Sequence, residues 1–140
     1  MTLHVTTQRF IDYVQVDVSG PATMKGYVEL VQQMEQETMS WADAKVMVDL
    51  RKVEGRLDAA EQVFLGELVA QYLRHLEKVA SVVRAEDLTG NSEAAAQMLG
   101  MRLRVFTDPA QAAAWLKAPT VAVAKPAASA RPIGLPSDSP

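Results

Sequence analysis

Three segments of the chain alternate apolar and polar residues with a period of two. The apolar positions are Val14, Val16 and Val18 in the first segment, Val46, Val48 and Leu50 in the second, and Leu103 and Val105 in the third. A parallel sheet with helices on both faces gives strands that are apolar throughout. The alternation therefore predicts strands with one packed face and one face that is either wet or held for a partner.

Apolar residues recur at helical spacing after four of the predicted strands. The predicted strands span residues 2–7, 13–19, 45–50, 79–84 and 102–107, and the predicted helices span 22–38, 59–76, 92–99 and 110–116. Two of the helix starts carry capping signals. Asp58 and Glu61 have the spacing of a capping box, and Asp108 followed by Pro109 is typical of a first turn.

The order of these elements predicts the topology. Right-handed crossovers between parallel strands in sequential order place successive helices on the same side of a sheet. The predicted fold is an α/β superhelix: a five-stranded mixed sheet, mostly parallel with an N-terminal hairpin, and four helices mainly on one face. It occupies residues 1–116, and the Pro- and Ala-rich residues 117–140 are predicted to form a disordered tail.

Composition and charge restrict the classes of function. The chain has 140 residues, of which 49% are hydrophobic, so one domain with its own core is expected. A net charge of −3 argues against nucleic-acid binding, and the lack of cysteine excludes disulfides, thiolate zinc sites and cysteine nucleophiles. No signal peptide is visible, and no apolar run approaches the roughly 20 residues of a membrane span. We therefore expect a cytoplasmic protein without membrane insertion.

The loop after the central strand carries the first candidate surface. Its candidate residues are Arg51, Glu54, Gly55, Arg56 and Asp58. They follow the carboxyl end of a strand, and ligands of open α/β sheets usually bind at that edge. One interpretation is a surface for a protein partner or a small anion. The other is a solvated loop in which Gly55 permits a turn and Asp58 caps the next helix.

A second candidate lies at the same edge, where the third helix begins. The exposed N–H groups of a helix start can hold an anion, and Arg84, at the end of the preceding strand, would add positive charge. One glycine does not make a phosphate loop, and the lysine of a Walker A motif is absent. The simpler interpretation is that Asn91 or Ser92 caps the helix.

The second helix is apolar over more than one stripe. Phe64, Leu65 and Tyr72 form a candidate apolar pocket for a small ligand. The alternative is a central helix packed on both flanks.

Two other places favour contacts between molecules. Met39 and Trp41 precede the third strand and belong either to an interface or to the core. Met47 and Phe106 lie on the less apolar face of the sheet. They suggest a homodimer through that face, and the alternative is a wet face with weak cross-strand ion pairs.

Neither catalysis nor a metal site is predicted. His4 and His75 lie far apart in the sequence, and without cysteine a metal would need carboxylates gathered around one of them. No serine stands in a Gly-x-Ser-x-Gly elbow. We assign no catalytic residue, no metal ligand and no cofactor.

The sequence resembles the SpoIIAA-like family, whose members are often labelled STAS/SEC14 domain proteins. The resemblance lies in three segments, VMVDLRKVEG at 46–55, VASVV at 79–83 and LRVFTDPAQAAAWL at 103–116. The last is the most specific, since it is a strand that ends in Phe and is followed by an Ala-rich helix that ends in Trp-Leu. The resemblance extends over residues 2–116.

The resemblance implies a β-α superhelix and a regulatory role, because the wider STAS group includes anti-sigma-factor antagonists. Their switch is a phosphorylated Ser or Thr at the start of the helix after the central strand, but residues 51–60 contain neither, so no phospho-switch is expected there. The lipid-carrying SEC14 domains are larger, and no segment here is long enough for their gated cavity. The resulting hypothesis is a non-enzymatic interaction domain that binds a protein partner through carboxyl-edge loops. The alternative is a carrier or sensor of a small apolar or anionic ligand.

Overall fold

Strands and helices alternate along the chain after an N-terminal hairpin. The computed structural model describes residues 3–39 and 45–119. The strands are β1 (His4–Arg9), β2 (Val14–Pro21), β3 (Lys45–Glu54), β4 (Lys78–Val82) and β5 (Leu103–Phe106). The helices are α1 (Met24–Thr38), α2 (Ala59–Tyr72), α3 (Asn91–Met98) and α4 (Pro109–Lys117), with a 3₁₀ turn at Ala85–Asp87. Trp41 and most of the predicted tail lie outside the described residues.

The strands form one sheet in sequential order, β1-β2-β3-β4-β5. β1 is antiparallel to β2, and the other neighbours are parallel. The register places Val16 beside Val48 and Val79 beside Leu103, so the apolar positions of neighbouring strands share a face. The predicted fold class is confirmed. The carboxyl ends of β2 to β5 meet at one edge, which we call the carboxyl edge.

The helices cover both faces of the sheet. α1, α2 and α3 pack on the face that carries Val16, Val48 and Leu103. α4 packs across β3, β4 and β5 on the opposite face. The small core beneath it consists of Met47, Ala80, Val82, Ala112 and Leu116, each at most 1% exposed.

The predicted open face is therefore wrong where α4 lies. Met47 is 1% exposed, so it is not available for the predicted dimer contact, and the half-buried Phe106 packs against Trp115. The reason is topological. The handedness rule applies to a helix between two parallel strands. Among the described residues α4 is followed by no further strand, so the rule does not fix its side.

A buried lysine ties the end of α4 to the sheet. The ammonium group of Lys78, at the start of β4, donates to the carbonyl oxygens of Trp115 (2.7 Å) and Ala118 (2.9 Å). These are carbonyls at the end of the helix, which lack partners within it. Burial, followed by the charge of Lys45, lowers the pKa of Lys78. The lysine thus closes the α4 face at the end away from the carboxyl edge.

The outer edge of β5 is covered by side chains of α3. The carboxylate of Glu93 accepts from the Val105 N–H (2.8 Å), and the Gln97 amide donates to the Leu103 carbonyl oxygen (2.9 Å). The two α3 residues are one helical turn apart and match two positions of the strand. They occupy backbone groups that an edge strand otherwise offers to another chain.

Most element boundaries lie within two residues of the prediction, but the ends of β3 and α2 differ by four residues, and the cap of α3 is a different residue. β3 continues to Glu54, because beyond a bulge in β2 the chain pairs Ser19, Gly20 and Pro21 with Lys52, Val53 and Glu54. α2 ends at Tyr72, four residues earlier than predicted. α3 is capped by Gly90 at φ 80°, where glycine is unstrained, and not by Asn91 or Ser92. The capping box of Asp58 and Glu61 and the Asp108 cap are confirmed.

Candidate functional site

A cavity of about 140 Å³ lies between the sheet and helices α1 and α2, and it reaches the carboxyl edge. Its walls are apolar. From α1 and α2 come Tyr27, Leu30, Val31, Met34, Leu65 and Val69, and from the strands come Val48, Val53, Val79, Ser81, Leu103 and Val105. An engineered cavity of about 150 Å³ with similar walls binds benzene in another protein. The space is therefore large enough for a small ring.

The cavity exists because the side chains of α2 do not pack closely against the sheet. Although α2 is the most apolar helix, only Gly66 and Ala70 of its residues are buried. A Cβ at Gly66 would lie 2.3 Å from the Ser92 carbonyl oxygen, so the glycine permits a close approach of α2 to α3. Leu65 and Val69, on the side toward α1, stay half-buried and line the cavity.

Polar residues surround the cavity where it meets the carboxyl edge. We call this set the rim, and it consists of Gly55, Arg56, Gln62, Asp87, Thr89, Gly90 and Ser92. The Asp87 carboxylate contacts the guanidinium of Arg56 at 3.2 Å and that of Arg84 at 2.8 Å. The Gln62 carbonyl oxygen accepts from Thr89 (2.6 Å) and Asn91 (2.8 Å). These contacts join the loop after β3 and the start of α2 to the loop after β4.

Two hydroxyl groups interrupt the apolar walls. Tyr27 is 8% exposed, and burial, followed by the negative charge of Asp87, raises its pKa to about 12. Ser81 is half-buried on β4. Within residues 3–39 and 45–119, neither side-chain hydroxyl has a hydrogen-bond partner. The cavity thus contains polar groups that are neutral at physiological pH and can both donate and accept.

The structure brings several predicted surface residues to this rim. Gly55, Arg56 and Ser92 belong to it. Arg84 and Asn91 contact it through Asp87 and Gln62.

The other surface residues lie away from the rim. Asp58 is engaged in the capping box of α2, and Glu54 is exposed at the end of β3. Arg51 forms a pair with Asp49 at 2.8 Å on the α4 side of the sheet. Burial raises the pKa of Asp49, but the hydrogen bonds and charge of Arg51 outweigh burial and place this pKa below its usual value. Asp17 and Asp108 also act on Arg51 electrostatically.

The three residues of the predicted apolar pocket do not share one environment. Leu65 lines the cavity. Phe64 is 49% exposed on the outer side of α2, and Tyr72 is half-buried against the core. The cavity lies on the inner side of α2, facing α1.

Sequence reasoning missed Tyr27, Ser81 and Asp87 as site residues. In the sequence, Tyr27 is visible only as one member of the apolar stripe of the first helix. Ser81 interrupts an otherwise apolar strand, and that is a signal that could have been used. For Asp87 the sequence has no signal, because its position depends on a 3₁₀ turn between β4 and α3.

The histidines stand apart from the rim. His75 Nε2 lies 2.7 Å from the Thr38 hydroxyl, which donates to the Met34 carbonyl oxygen (2.6 Å). Because the hydroxyl proton is used in that bond, His75 Nε2 is the donor to Thr38. His4 is exposed on β1. Within residues 3–39 and 45–119, no helix is long and apolar enough to cross a membrane.

Comparison with known proteins places this arrangement in a family. Comparison with curated proteins gives no match. One similar solved structure is that of an uncharacterized DUF3478-family protein with a SpoIIAA-like fold from Shewanella loihica. It is 17% identical to this chain, and the TM-score is 0.55 over 82% of this chain and 94% of that protein. An anti-sigma factor antagonist from Mycobacterium paratuberculosis is 15% identical, with a TM-score of 0.55 over 84% of this chain and 96% of its own. At these identities the likeness concerns the fold. The SpoIIAA-like family model matches residues 13–117, and the chain belongs to the SpoIIAA-like family.

Proposed function

We propose that this protein is a non-enzymatic, regulatory interaction domain that binds a protein partner through the loops of its carboxyl edge. Its fold is shared with an anti-sigma factor antagonist, a kind of protein whose action is to bind another protein. The likeness in fold supports the class of function and leaves the contact surface to be argued from this chain.

The observation that carries the proposal is the bridge between two loops at the rim. Asp87 lies between Arg56 and Arg84, so the loops after β3 and β4 form one continuous surface. The side chains of Arg56 and Arg84 remain 54% and 37% exposed, so both can contact a partner. Arginine in a fixed geometry is enriched in protein interfaces, because its planar group makes paired hydrogen bonds with carboxylates.

The same surface does not resemble a catalytic centre. The groups that converge there are two arginines, a carboxylate, two side-chain amides and two hydroxyls. The Thr89 hydroxyl donates to the Gln62 amide oxygen, which is not a base. Nucleophilic catalysis needs a base beside the nucleophile, and both histidines lie elsewhere.

The test is affinity capture from a lysate of the source organism, read by quantitative mass spectrometry. Wild type is compared with Arg56→Glu and with Arg102→Glu, a matched charge reversal at an exposed site at the opposite end of the sheet. We expect one protein to be enriched by wild type and by R102E and to fall at least about tenfold with R56E, since a close like-charge contact costs more than about 1.4 kcal/mol. R102E should keep the wild-type melting temperature, because Arg102 is exposed. R56E loses the pair with Asp87 and brings two carboxylates together, so its melting temperature should fall, but only slightly, since the Arg56 side chain is 54% exposed. Equal capture by R56E and wild type would contradict the proposal.

A further inference from the structure

We propose that the cavity beneath α2 is a binding site for a small neutral molecule: an apolar ring about the size of benzene that carries one hydroxyl group. This inference goes beyond partner binding at the rim and does not depend on it. It follows from three features of the site, namely its walls, its unpartnered hydroxyls and the placement of its charges.

The walls set the size and the apolar character of the ligand. Leu30 and Val31 of α1, Leu65 and Val69 of α2, and Val48 and Val79 of the sheet surround the space. A volume of about 140 Å³ is many times the space of one water molecule, and an apolar cavity of similar size holds benzene in another protein. A ring of that size would restore the packing contacts that the inner side of α2 lacks.

The hydroxyls of Tyr27 and Ser81 define the polar group of the ligand. They belong to α1 and β4, on two different walls of the same cavity, and neither has a partner within the described residues. A buried hydroxyl without a partner is unfavourable, so a ligand that supplies one gains affinity. Because the pKa of Tyr27 is about 12, its hydroxyl is protonated at physiological pH. Like the Ser81 hydroxyl, it is then a neutral group that can both donate and accept a hydrogen bond. A ligand hydroxyl matches either of them.

The placement of charges disfavours an ionic ligand inside the cavity. The walls carry no charged side chain, and the charged rim residues Arg56 and Asp87 are paired with each other across the mouth. An ion moved into the apolar interior would lose its hydration without gaining a counter-charge. Of the apolar and anionic ligands that the sequence left open, the structure favours the apolar one.

The experiment compares two probes, p-cresol and toluene, which differ only in a hydroxyl group. Binding is measured by ligand-observed NMR and isothermal titration on the full chain. We expect both probes to bind, and p-cresol to bind about two- to tenfold more tightly, the range of one net hydrogen bond. Tyr27→Phe or Ser81→Ala should reduce this preference without weakening toluene binding. Equal affinities for the two probes in wild type would overturn the assigned polar group.

A filling variant tests the location. Val69→Phe places a larger side chain in the cavity and should abolish binding of both probes. The matched control is Val63→Phe, the same change on the same helix at a position that is 39% exposed and outside the cavity. Leu65→Trp serves as a second filling variant in case V69F does not fold. Unchanged binding by a folded filling variant, or no binding of either probe to wild type at millimolar concentration, would overturn the proposal. Neither result would affect the partner-capture test.

Discussion

The two faces of the sheet are covered in different ways. The face under α4 is closed: its core residues, among them Met47 and Leu116, are at most 1% exposed. The face under α1, α2 and α3 has the larger core and yet keeps a cavity of about 140 Å³. The closed face is covered by an Ala-rich helix. The face with the cavity, which we call the cavity face, is covered partly by α2, the most apolar helix of the chain. Close packing in this domain therefore depends on the shape of the contact more than on hydrophobicity.

The cause lies in what holds each helix. Ala112 and Ala113 let α4 approach the sheet, Leu116 fills the remaining space, and Lys78 fixes the last turn. α2 is held instead by its contact with α3 at Gly66 and by the capping box at its start. A helix fixed against a neighbouring helix need not settle onto the sheet below it.

The largest expected effect on the free energy of unfolding comes from replacing one leucine on each face. Leu116→Ala should lower the free energy of unfolding by about 3–5 kcal/mol, because it leaves a cavity in a closed core. Leu65→Ala should cost only about 1 kcal/mol, since Leu65 is half-buried beside space that already exists. Urea unfolding of both variants measures the difference. Equal losses would mean that the two faces are packed alike.

The titration of Tyr27 tests whether water is excluded from the cavity face. Its pKa is about 12 in the folded protein, against an ordinary value of 10.0, so the folded state holds the proton more tightly than the unfolded chain. The associated stability is fully present below about pH 10 and is lost as the pH rises through about 12, a change of about 2–3 kcal/mol. The unfolding free energy of wild type should therefore fall relative to that of Tyr27→Phe across this alkaline range, as measured by denaturant unfolding at each pH.

The control for this prediction is Tyr72→Phe, at a half-buried tyrosine of α2. This variant keeps Tyr27 and should show the same alkaline loss as wild type. A parallel pH dependence of wild type and Y27F would show that water reaches the Tyr27 hydroxyl.

Adjacent residues of β4 offer the sharpest comparison, since Ala80 points to the closed face and Ser81 to the cavity. Ala80→Val should destabilise by about 1–3 kcal/mol, because there is no room for two more methyl groups. Ser81→Val should stabilise by about 0.5–1 kcal/mol, since it fills space and removes an unpartnered hydroxyl. Chemical denaturation of the two single variants measures the sign of each change in the free energy of unfolding. Effects of the same sign would refute the contrast.

The alternating strands were enough to predict the sheet, its order and the side of three helices. Period-2 alternation could not predict the cover on the other face. Met47 is the one apolar residue on that side of its predicted strand, and the Ala-rich α4 that covers it has little apolar surface of its own. The carboxyl edge and the rim residues Gly55, Arg56 and Ser92 followed from topology. The cavity did not, because a void depends on how two helices pack, and Gly66 shows its effect only beside α3.

The smallest expected effect concerns charge on the α4 side, where Arg51 pairs with Asp49 at 2.8 Å. The Arg51 side chain is 43% exposed, so Arg51→Gln should cost only about a few tenths of a kcal/mol at neutral pH. Arg51 keeps the pKa of Asp49 below 3.8, so the contribution is present above pH 3.8 and is lost as the pH falls through the lower folded-state value. Unfolding measured from about pH 7 to about pH 2 should show the small difference between wild type and R51Q vanish in acid. The control is Arg74→Gln, at an exposed position just after α2. A loss as large as that of Leu116→Ala would mean that charge, and not packing, closes this face.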